Sequence, residues 1–267
     1  AQTVRNDNSS RFGKLVLLDF TKTGRLAAAS MQTYLLEKSR VANLSAGECN
    51  FHYFYEQIAG LPPEERREYS YPLRGSVVQH FEYLKGDGTG LRRDQANDRK
   101  NFARTQQALA AIGLDDSQRI GISRMLAAIL HLGNLDFGSG DVASIAHRES
   151  LESVDAAARL LECDPLQLQS GMCSRRIKAG VEWVTSKNSS SQASEVRHGL
   201  AKQLYSALFA WMVTHVNASL SSDIAITRKR TNFGPHIAYV DIFGFEVFQV
   251  NSLEQLCINF ANEKLQR

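Results

Sequence analysis

The stretch HIAYVDIFGFE, residues 236–246, decides how the rest of the chain is interpreted. Its apolar run, 237–242, is rich in β-branched and aromatic residues, which predicts a strand buried on both faces of an α/β sheet. Asp241 lies near the end of the run, and Gly244 and Glu246 follow. An acid beyond the carboxyl end of a strand is well placed to serve Mg²⁺ on a nucleotide phosphate. An Asp that merely ends a strand is the alternative at this point.

The residues after this stretch predict a helix. Asn251 and Ser252 each precede a Glu or Gln by three positions, which is the pattern of a capping box. The apolar residues Leu253, Leu256 and Phe260 then fall on one helical face.

A second polar stretch lies at the other end of the chain, where residues 6–14 read NDNSSRFGK. The apolar run 15–20 follows it, and a glycine-containing turn at 21–24 leads into a second run at 26–36, which predicts an antiparallel hairpin. The two hydroxyl groups and the guanidinium at 9–11 suit phosphate and Mg²⁺ chemistry, although a solvated polar loop is the alternative.

The chain between these ends is predicted to be mainly helical, with a few strands near both ends. Alternating residues over 176–186 predict two further strands that bend near Gly180, and the glycine-rich segment 86–90 is interpreted as a surface turn. A loop-like stretch is predicted over 69–93. Helical periodicity and end signals predict seven helices. They cover 51–60, a short stretch that starts at Pro62-Pro63, 94–112, 122–133, 151–161, a stretch that starts at Pro165, and 196–215.

The composition limits which classes of protein this chain could belong to. The 267 residues are 43% hydrophobic and 22% charged, as in ordinary globular proteins, and the net charge of +3 with a pI near 8.7 gives no sign of nucleic-acid binding. The four cysteines have no paired spacing, so we expect reduced thiols. The sequence has neither a membrane span nor a signal peptide, and because it begins at Ala1 we expect a fragment of a longer protein.

Taken together, NDNSSRFGK and DIFGFE resemble switch one and switch two of the myosin motor. The chain is also similar to myosin at TYLLEKSRV (33–41), NFHYFY (50–55), LHLGN (130–134) and NSLEQLCIN (251–259). The resemblance covers the whole chain, and the motifs occur in the family's order.

The resemblance implies part of a P-loop NTPase motor core, of class α/β but mainly helical. Switch one and sheet strands would occupy 1–41, and a helical upper subdomain would occupy 42–235. Within that subdomain, an actin-contacting loop is expected at 176–188. Switch two and the start of the relay helix would occupy 236–267.

The resemblance also implies ATP and Mg²⁺ as cofactors. Ser10 would ligate Mg²⁺, Asp241 would hold a Mg²⁺-bound water, and Ser9 would lie by the γ-phosphate and the attacking water. The Gly244 amide would bind the γ-phosphate. The asparagines Asn6 and Asn8 belong to the expected nucleotide site.

The pair Arg11 and Glu246 is expected to form a salt bridge when both switches close, and so to latch the state that hydrolyses ATP. The sequence contains no GxxxxGK[S/T] motif. We therefore expect the phosphate-binding loop to lie upstream, and the isolated chain to be inactive. The expected partners are actin filaments and the rest of the motor, including a lower subdomain and converter, in a cytoplasmic, cytoskeletal setting.

The actin-contacting loop is expected to act through Lys178, Glu182 and Lys187. Glu182 lies sixteen positions before His198. At the position of Glu182 the family carries an acidic or phosphorylatable residue, and the Glu182 carboxylate would supply a permanent negative charge. A solvated strand residue is the alternative. HGLAK at 198–202 departs from the family's usual DALAK, which indicates a divergent class.

Two other functions are compatible with parts of the sequence, a kinesin-like motor and a motor-like scaffold. Kinesin-like motors share similar switch motifs but place them close together, whereas about 230 residues separate the motifs here. A motor-like scaffold that binds actin without hydrolysing ATP is opposed by the intact switch residues.

Overall fold

The computed structural model describes residues 1–4, 6–72, 76–86, 95–145, 147–221, 233–247, 251 and 253–267. Its strands are β1 (Gly13–Thr21), β2 (Leu26–Tyr34), β3 (Ser174–Ala179), β4 (Glu182–Lys187) and β5 (Phe233–Asp241). Its α-helices are α1 (His52–Gly60), α2 (Pro63–Glu68), α3 (Val77–His80), α4 (Glu82–Lys85), α5 (Gln95–Ala111), α6 (Asp116–Gly133), α7 (Arg148–Leu161), α8 (Pro165–Cys173), α9 (Ser190–Ser221) and α10 (Leu253–Gln266). A 3₁₀ turn spans Lys38–Val41. The predicted class, mainly helical with a few strands, is confirmed.

The chain divides into two compact units. The first comprises Ala1, Thr3–Glu37 and Phe209–Arg267, and the second comprises Gln2 and Lys38–Leu208. Helix α9 contributes residues to both.

The first unit is built on a three-stranded antiparallel sheet of order β2-β1-β5. The β1–β2 hairpin confirms the prediction made from the turn at 21–24. Asn217 on α9 bonds to both backbone groups of Met31 on β2, accepting from its N–H at 2.7 Å and donating to its carbonyl at 2.8 Å. This amide satisfies part of an otherwise open strand edge.

The prediction that β5 is buried on both faces is wrong. Ile237, Tyr239 and Val240 are 55%, 54% and 51% exposed. β5 is one of the two edge strands of the sheet and bonds to β1 on one side. Its side chains are exposed because, within the described residues, its faces are not covered by a packed layer. An apolar run predicts a strand, but burial also requires a covering layer. The apolar face of α10 carrying Leu253, Leu256 and Phe260 is likewise exposed.

The second unit contains the helical core. Asp115 and Gln118 form a capping box at the start of α6, which begins earlier than its apolar periodicity predicts. The predicted loop over 69–93 contains the short helices α3 and α4, so that prediction is wrong there, because four-residue helices are too short to establish a period. The core cluster consists of Leu132, Leu135, Phe137, Ala143, Ile145, Val154, Ala157, Met172, Cys173 and Ala193.

Some predictions fall on residues outside those described. These are most of the surface turn at 86–90 and Ser252 in the predicted capping box. Within the described part of the chain, no helix is both long and apolar enough to cross a membrane.

His131 is a titratable group buried in the second unit. Its Nε2 lies 2.8 Å from the Tyr69 carbonyl, and its Nδ1 is buried without a hydrogen-bond partner. Burial lowers the pKa of His131 to about 4, although the bond to the Tyr69 carbonyl opposes the shift. The folded protein therefore holds this imidazole neutral.

Two glycines of α6 lie in opposite packing environments, one crowded and one open. A Cβ at Gly133 would lie 2.8 Å from the Tyr83 ring, whereas a Cβ at Gly121 would meet nothing within 4 Å. We expect Gly133→Ala to destabilise the protein by about 1–3 kcal/mol through overpacking. Gly121→Ala should stabilise it by up to about 1 kcal/mol through helix propensity. Chemical denaturation measures both, and equal effects of the two substitutions would contradict the packing.

The buried His131 predicts a pH dependence of stability. Its folded pKa is below its unfolded value of about 6.5, so stability is full above pH 6.5 and falls as the pH drops toward 4, by about 3 kcal/mol. His131→Gln keeps a side-chain N–H and does not titrate, so it should reduce the slope of the unfolding free energy over this range. Some slope should remain, because burial also lowers the pKa of His198 to about 4. His147→Gln is the control, because His147 has a 70% exposed side chain. An unchanged slope in His131→Gln would refute the assignment.

Candidate functional site

The two polar motifs meet at one edge of the first unit's sheet. β1 and β5 are antiparallel, and Lys14 near the start of β1 pairs with Asp241 at the end of β5. The segment before β1 and the segment after β5 therefore leave the sheet at the same edge. Gly13 permits their close approach, since a Cβ there would lie 3.0 Å from Cγ2 of Ile242.

Arg11 joins the two segments. Its NH1 donates to Oε1 of Glu246 at 2.7 Å, and its NH2 donates to Oε2 at 3.0 Å. Its Nε and NH2 also donate to Glu37 at 2.8 and 3.3 Å, and its NH1 donates to the Ser9 hydroxyl at 3.3 Å. These bonds use the five N–H donors of a guanidinium. The expected contact between Arg11 and Glu246 is therefore present.

The charged groups at the junction, which consists of Arg11, Glu37 and Glu246, are deeply buried. The side chains of Arg11, Glu37 and Glu246 are 0%, 9% and 15% exposed. Burial of Arg11 opposes its charged form, but the hydrogen bonds to Glu246 and Glu37 outweigh it and raise the pKa of Arg11. The guanidinium carbon also lies 5.5 Å from the centre of the Phe243 ring. Arg11 is thus a permanent buried cation facing two carboxylates.

Helix α10 holds the segment that carries Glu246. The Asn259 side chain accepts from the Glu246 N–H at 2.8 Å and donates to its carbonyl at 2.7 Å. Asn262 donates to the Phe243 carbonyl at 2.9 Å. These two asparagines, together with Glu37, were not identified from the sequence as site residues. Glu37 and Asn259 lie inside motifs quoted above, but the motifs alone do not reveal their contacts.

The residues predicted to bind nucleotide lie in the segment before β1. Asn8 donates its backbone N–H to the Asn6 side chain at 3.0 Å, and both residues are exposed. Ser10 is exposed as well, while Ser9 is partly buried and bonds to Arg11. Gly244, beyond β5, has open space where a side chain would project.

The predicted metal residues offer hard oxygen donors. The Asp241 carboxylate pairs with the Lys14 ammonium at 3.0 Å, and both side chains are partly exposed. Among the described residues, no cluster of three or more His, Cys, Asp or Glu side chains could hold a metal. One hydroxyl and one carboxylate nevertheless fit Mg²⁺, which keeps several waters and takes other ligands from phosphates.

In the second unit, β3 and β4 form the predicted two-stranded excursion, and Gly180 adopts a φ of +65° at its turn. Lys178 pairs with Trp183, and Glu182 pairs with Ala179. The remaining predicted contact residue, Lys187, is exposed in β4. Glu182 in β4 and Lys178 in β3 are exposed as well. The hairpin therefore presents these charges to solvent, and their contact with actin stays a prediction.

Comparison with known proteins gives one consistent result. Residues 1–267 match the family model described as myosin head (motor domain). The chain is 40% identical over its full length to unconventional myosin-Va of Gallus gallus, and covers 14% of that protein. It is 38% identical to Myosin-16 and Myosin-3 of Arabidopsis thaliana, over 100% of the chain and 21% and 22% of those proteins. The chain thus spans less than a quarter of the length of these relatives.

Removing the buried cation tests the junction directly. Arg11→Met would leave the carboxylates of Glu37 and Glu246 buried without their cation, so we expect a loss of about 3–5 kcal/mol in the free energy of unfolding. Arg148→Met is the control, because the pair it forms with Glu152 has side chains that are 90% and 63% exposed. That change should cost far less than Arg11→Met, because an ion pair between two exposed side chains contributes little to stability. Denaturant unfolding measures both, and similar losses would argue against a buried junction.

Proposed function

Since this chain belongs to the myosin head (motor domain) family, we propose that it is part of an actin-based motor that hydrolyses ATP. The nucleotide phosphates and Mg²⁺ would lie between residues 6–12 and 241–246. The observation that carries this proposal is the buried ion pair between Arg11 and Glu246, which joins these two segments across 235 positions of sequence.

The residues on the two segments would have different roles in binding Mg²⁺ and the nucleotide. Ser10 and Asp241 would hold Mg²⁺, the second through a water, and Asp241 would exchange its contact with Lys14 for this role. When bound, Mg²⁺ neutralises charge on the phosphates. Asn6 and Asn8 would bind the nucleotide through their amides.

Catalysis of phosphoryl transfer depends mainly on positioning and electrostatic stabilisation. The Ser9 hydroxyl would orient the γ-phosphate and the attacking water, and its bond to Arg11 ties that position to the ion pair. Gly244 would offer its backbone N–H to the γ-phosphate from the other segment. The absence of a side chain at Gly244 allows a phosphate to come close to the backbone.

Other parts of the motor would complete the site. A phosphate-binding loop would come from another segment of the whole protein, since these 267 residues contain no GxxxxGK[S/T]. The exposed apolar side chains of β5 and α10 support packing against further elements of the motor. Within the motor, residues 1–41 would carry switch one, 42–235 the helical upper subdomain, and 236–267 switch two and the start of the relay helix. The whole protein would be cytoplasmic and associated with the cytoskeleton.

Contact with actin is proposed for the β3–β4 hairpin. Val181 at its tip is 94% exposed, and Arg176 stacks on the exposed Trp183 at 5.1 Å. Lys178, Glu182 and Lys187 would add charge complementarity. A small exposed hairpin of this kind can engage a filament surface without disturbing the helical core.

Charge exchange across the ion pair tests the proposed function in the whole motor. Arg11→Glu and Glu246→Arg should each lower ATP turnover at least about a hundredfold, because each leaves like charges facing one another. The double variant restores an opposite-charge pair, so it should recover part of the turnover. Recovery should be incomplete because Glu37 would face the carboxylate introduced at position 11.

Steady-state phosphate release, with and without actin filaments, measures these effects. Full turnover in either single variant, or no recovery in the double variant, would argue against the ion pair as a latch. A wild-type motor that bound Mg-ATP without hydrolysing it would favour the scaffold alternative.

A further inference from the structure

Glu37 and Glu246 occupy different edges of the same guanidinium. Glu37 accepts from Nε and NH2 of Arg11, and Glu246 accepts from NH1 and NH2. A planar guanidinium binds carboxylates through defined edges, so a carboxylate on one edge also sets the direction of the other. With Glu37 in place, the remaining edge points to Glu246.

The two carboxylates are anchored differently. The Glu37 backbone N–H donates to the Arg11 carbonyl at 3.0 Å, so Glu37 and Arg11 are tied by main chain as well as side chain. Glu246 belongs instead to the segment after β5, and its backbone is held by Asn259 on α10. A shift of that segment would separate Glu246 from Arg11 without disturbing the contact with Glu37.

We propose that Glu37 is a positioning residue, which orients the Arg11 guanidinium toward Glu246 and remains its partner when Glu246 withdraws. This inference rests on the proposed function, in which the two segments close around ATP and open again. Glu37 acts through Arg11 and needs no contact with the nucleotide.

The energetics favour such a resident partner. A buried cation that loses its only counter-charge is strongly destabilised, so a simple Arg–Glu pair would resist opening. With Glu37 in place, Arg11 keeps a charged partner in both arrangements. In the closed arrangement two carboxylates share one cation, and their mutual repulsion limits how firmly Glu246 is held. Glu37 therefore makes the contact between Arg11 and Glu246 both well directed and reversible.

Turnover in the whole motor tests the role in the reaction. Glu37→Gln keeps the size of the side chain but removes its charge and one acceptor. We expect it to lower kcat about tenfold and to leave the KM for ATP within about twofold. The matched control is Glu48→Gln, because Glu48 forms a comparably buried pair with Arg40 at 2.8 Å in the other unit. Unchanged kcat in Glu37→Gln, or an equal fall in Glu48→Gln, would overturn the proposal.

A second measurement tests the orientation of the Arg11 guanidinium in the absence of ATP. Hydrogen exchange at the Arg11 Nε–H, followed by NMR with ¹⁵N-labelled arginine, reports its bond to Glu37. Exchange should become at least about tenfold faster in Glu37→Gln and change less than about threefold in Glu246→Gln. Equal acceleration in both variants, or none in Glu37→Gln, would overturn the proposed orientation.

The two measurements also separate the inference from the function on which it rests. If the exchange result holds but the wild-type motor hydrolyses no ATP, the proposed function is wrong, and with it any role of Glu37 in the reaction. If the wild type is active and Glu37→Gln is as active, the positioning role alone is wrong.

Discussion

A buried guanidinium must be paired, and this requirement governs the first unit. Arg11 has no exposed side-chain surface, so the large cost of desolvating its charge is met by carboxylates within hydrogen-bond distance. One carboxylate, that of Glu37, lies 26 positions away and its residue shares a backbone hydrogen bond with Arg11, whereas the other lies 235 positions away. The ion pair therefore requires two distant segments to meet. Under the proposed function, withdrawal of Glu246 would give the contact two states.

The sheet makes this meeting possible. Antiparallel pairing of β1 with β5 brings the start of one strand beside the end of the other, so both polar motifs emerge at one edge. Gly13 leaves room for Ile242, and the amides of Asn259 and Asn262 hold the segment after β5 against α10. Each contact acts locally, yet together they give a charged cluster between two polar segments that offer hydroxyl, amide and carboxylate groups. Such a site can orient phosphates with little covalent chemistry of its own.

Much of this could be predicted from the sequence, because the signals were local. The turn at 21–24 and the alternation over 176–186 each specify a hairpin through neighbouring residues, whereas the pairing of Arg11 with Glu246 was implied by the resemblance of the two polar motifs to the myosin switches. The failures were non-local. The run in β5 could not reveal that its strand lies at a sheet edge, and the short α3 and α4 span too few residues for a period. Glu37 is one acid among many until the fold brings it to Arg11.

An experimental structure of the whole motor with a non-hydrolysable ATP analogue and Mg²⁺ would test the central claim most directly. The account predicts that the terminal phosphate lies between residues 6–12 and 241–246, with Mg²⁺ beside Ser10 and Asp241. Arg11 should remain bonded to both Glu37 and Glu246 in that state. A nucleotide bound elsewhere, or one bound here while Arg11 and Glu246 stand apart, would contradict the claim that this ion pair closes the site around ATP.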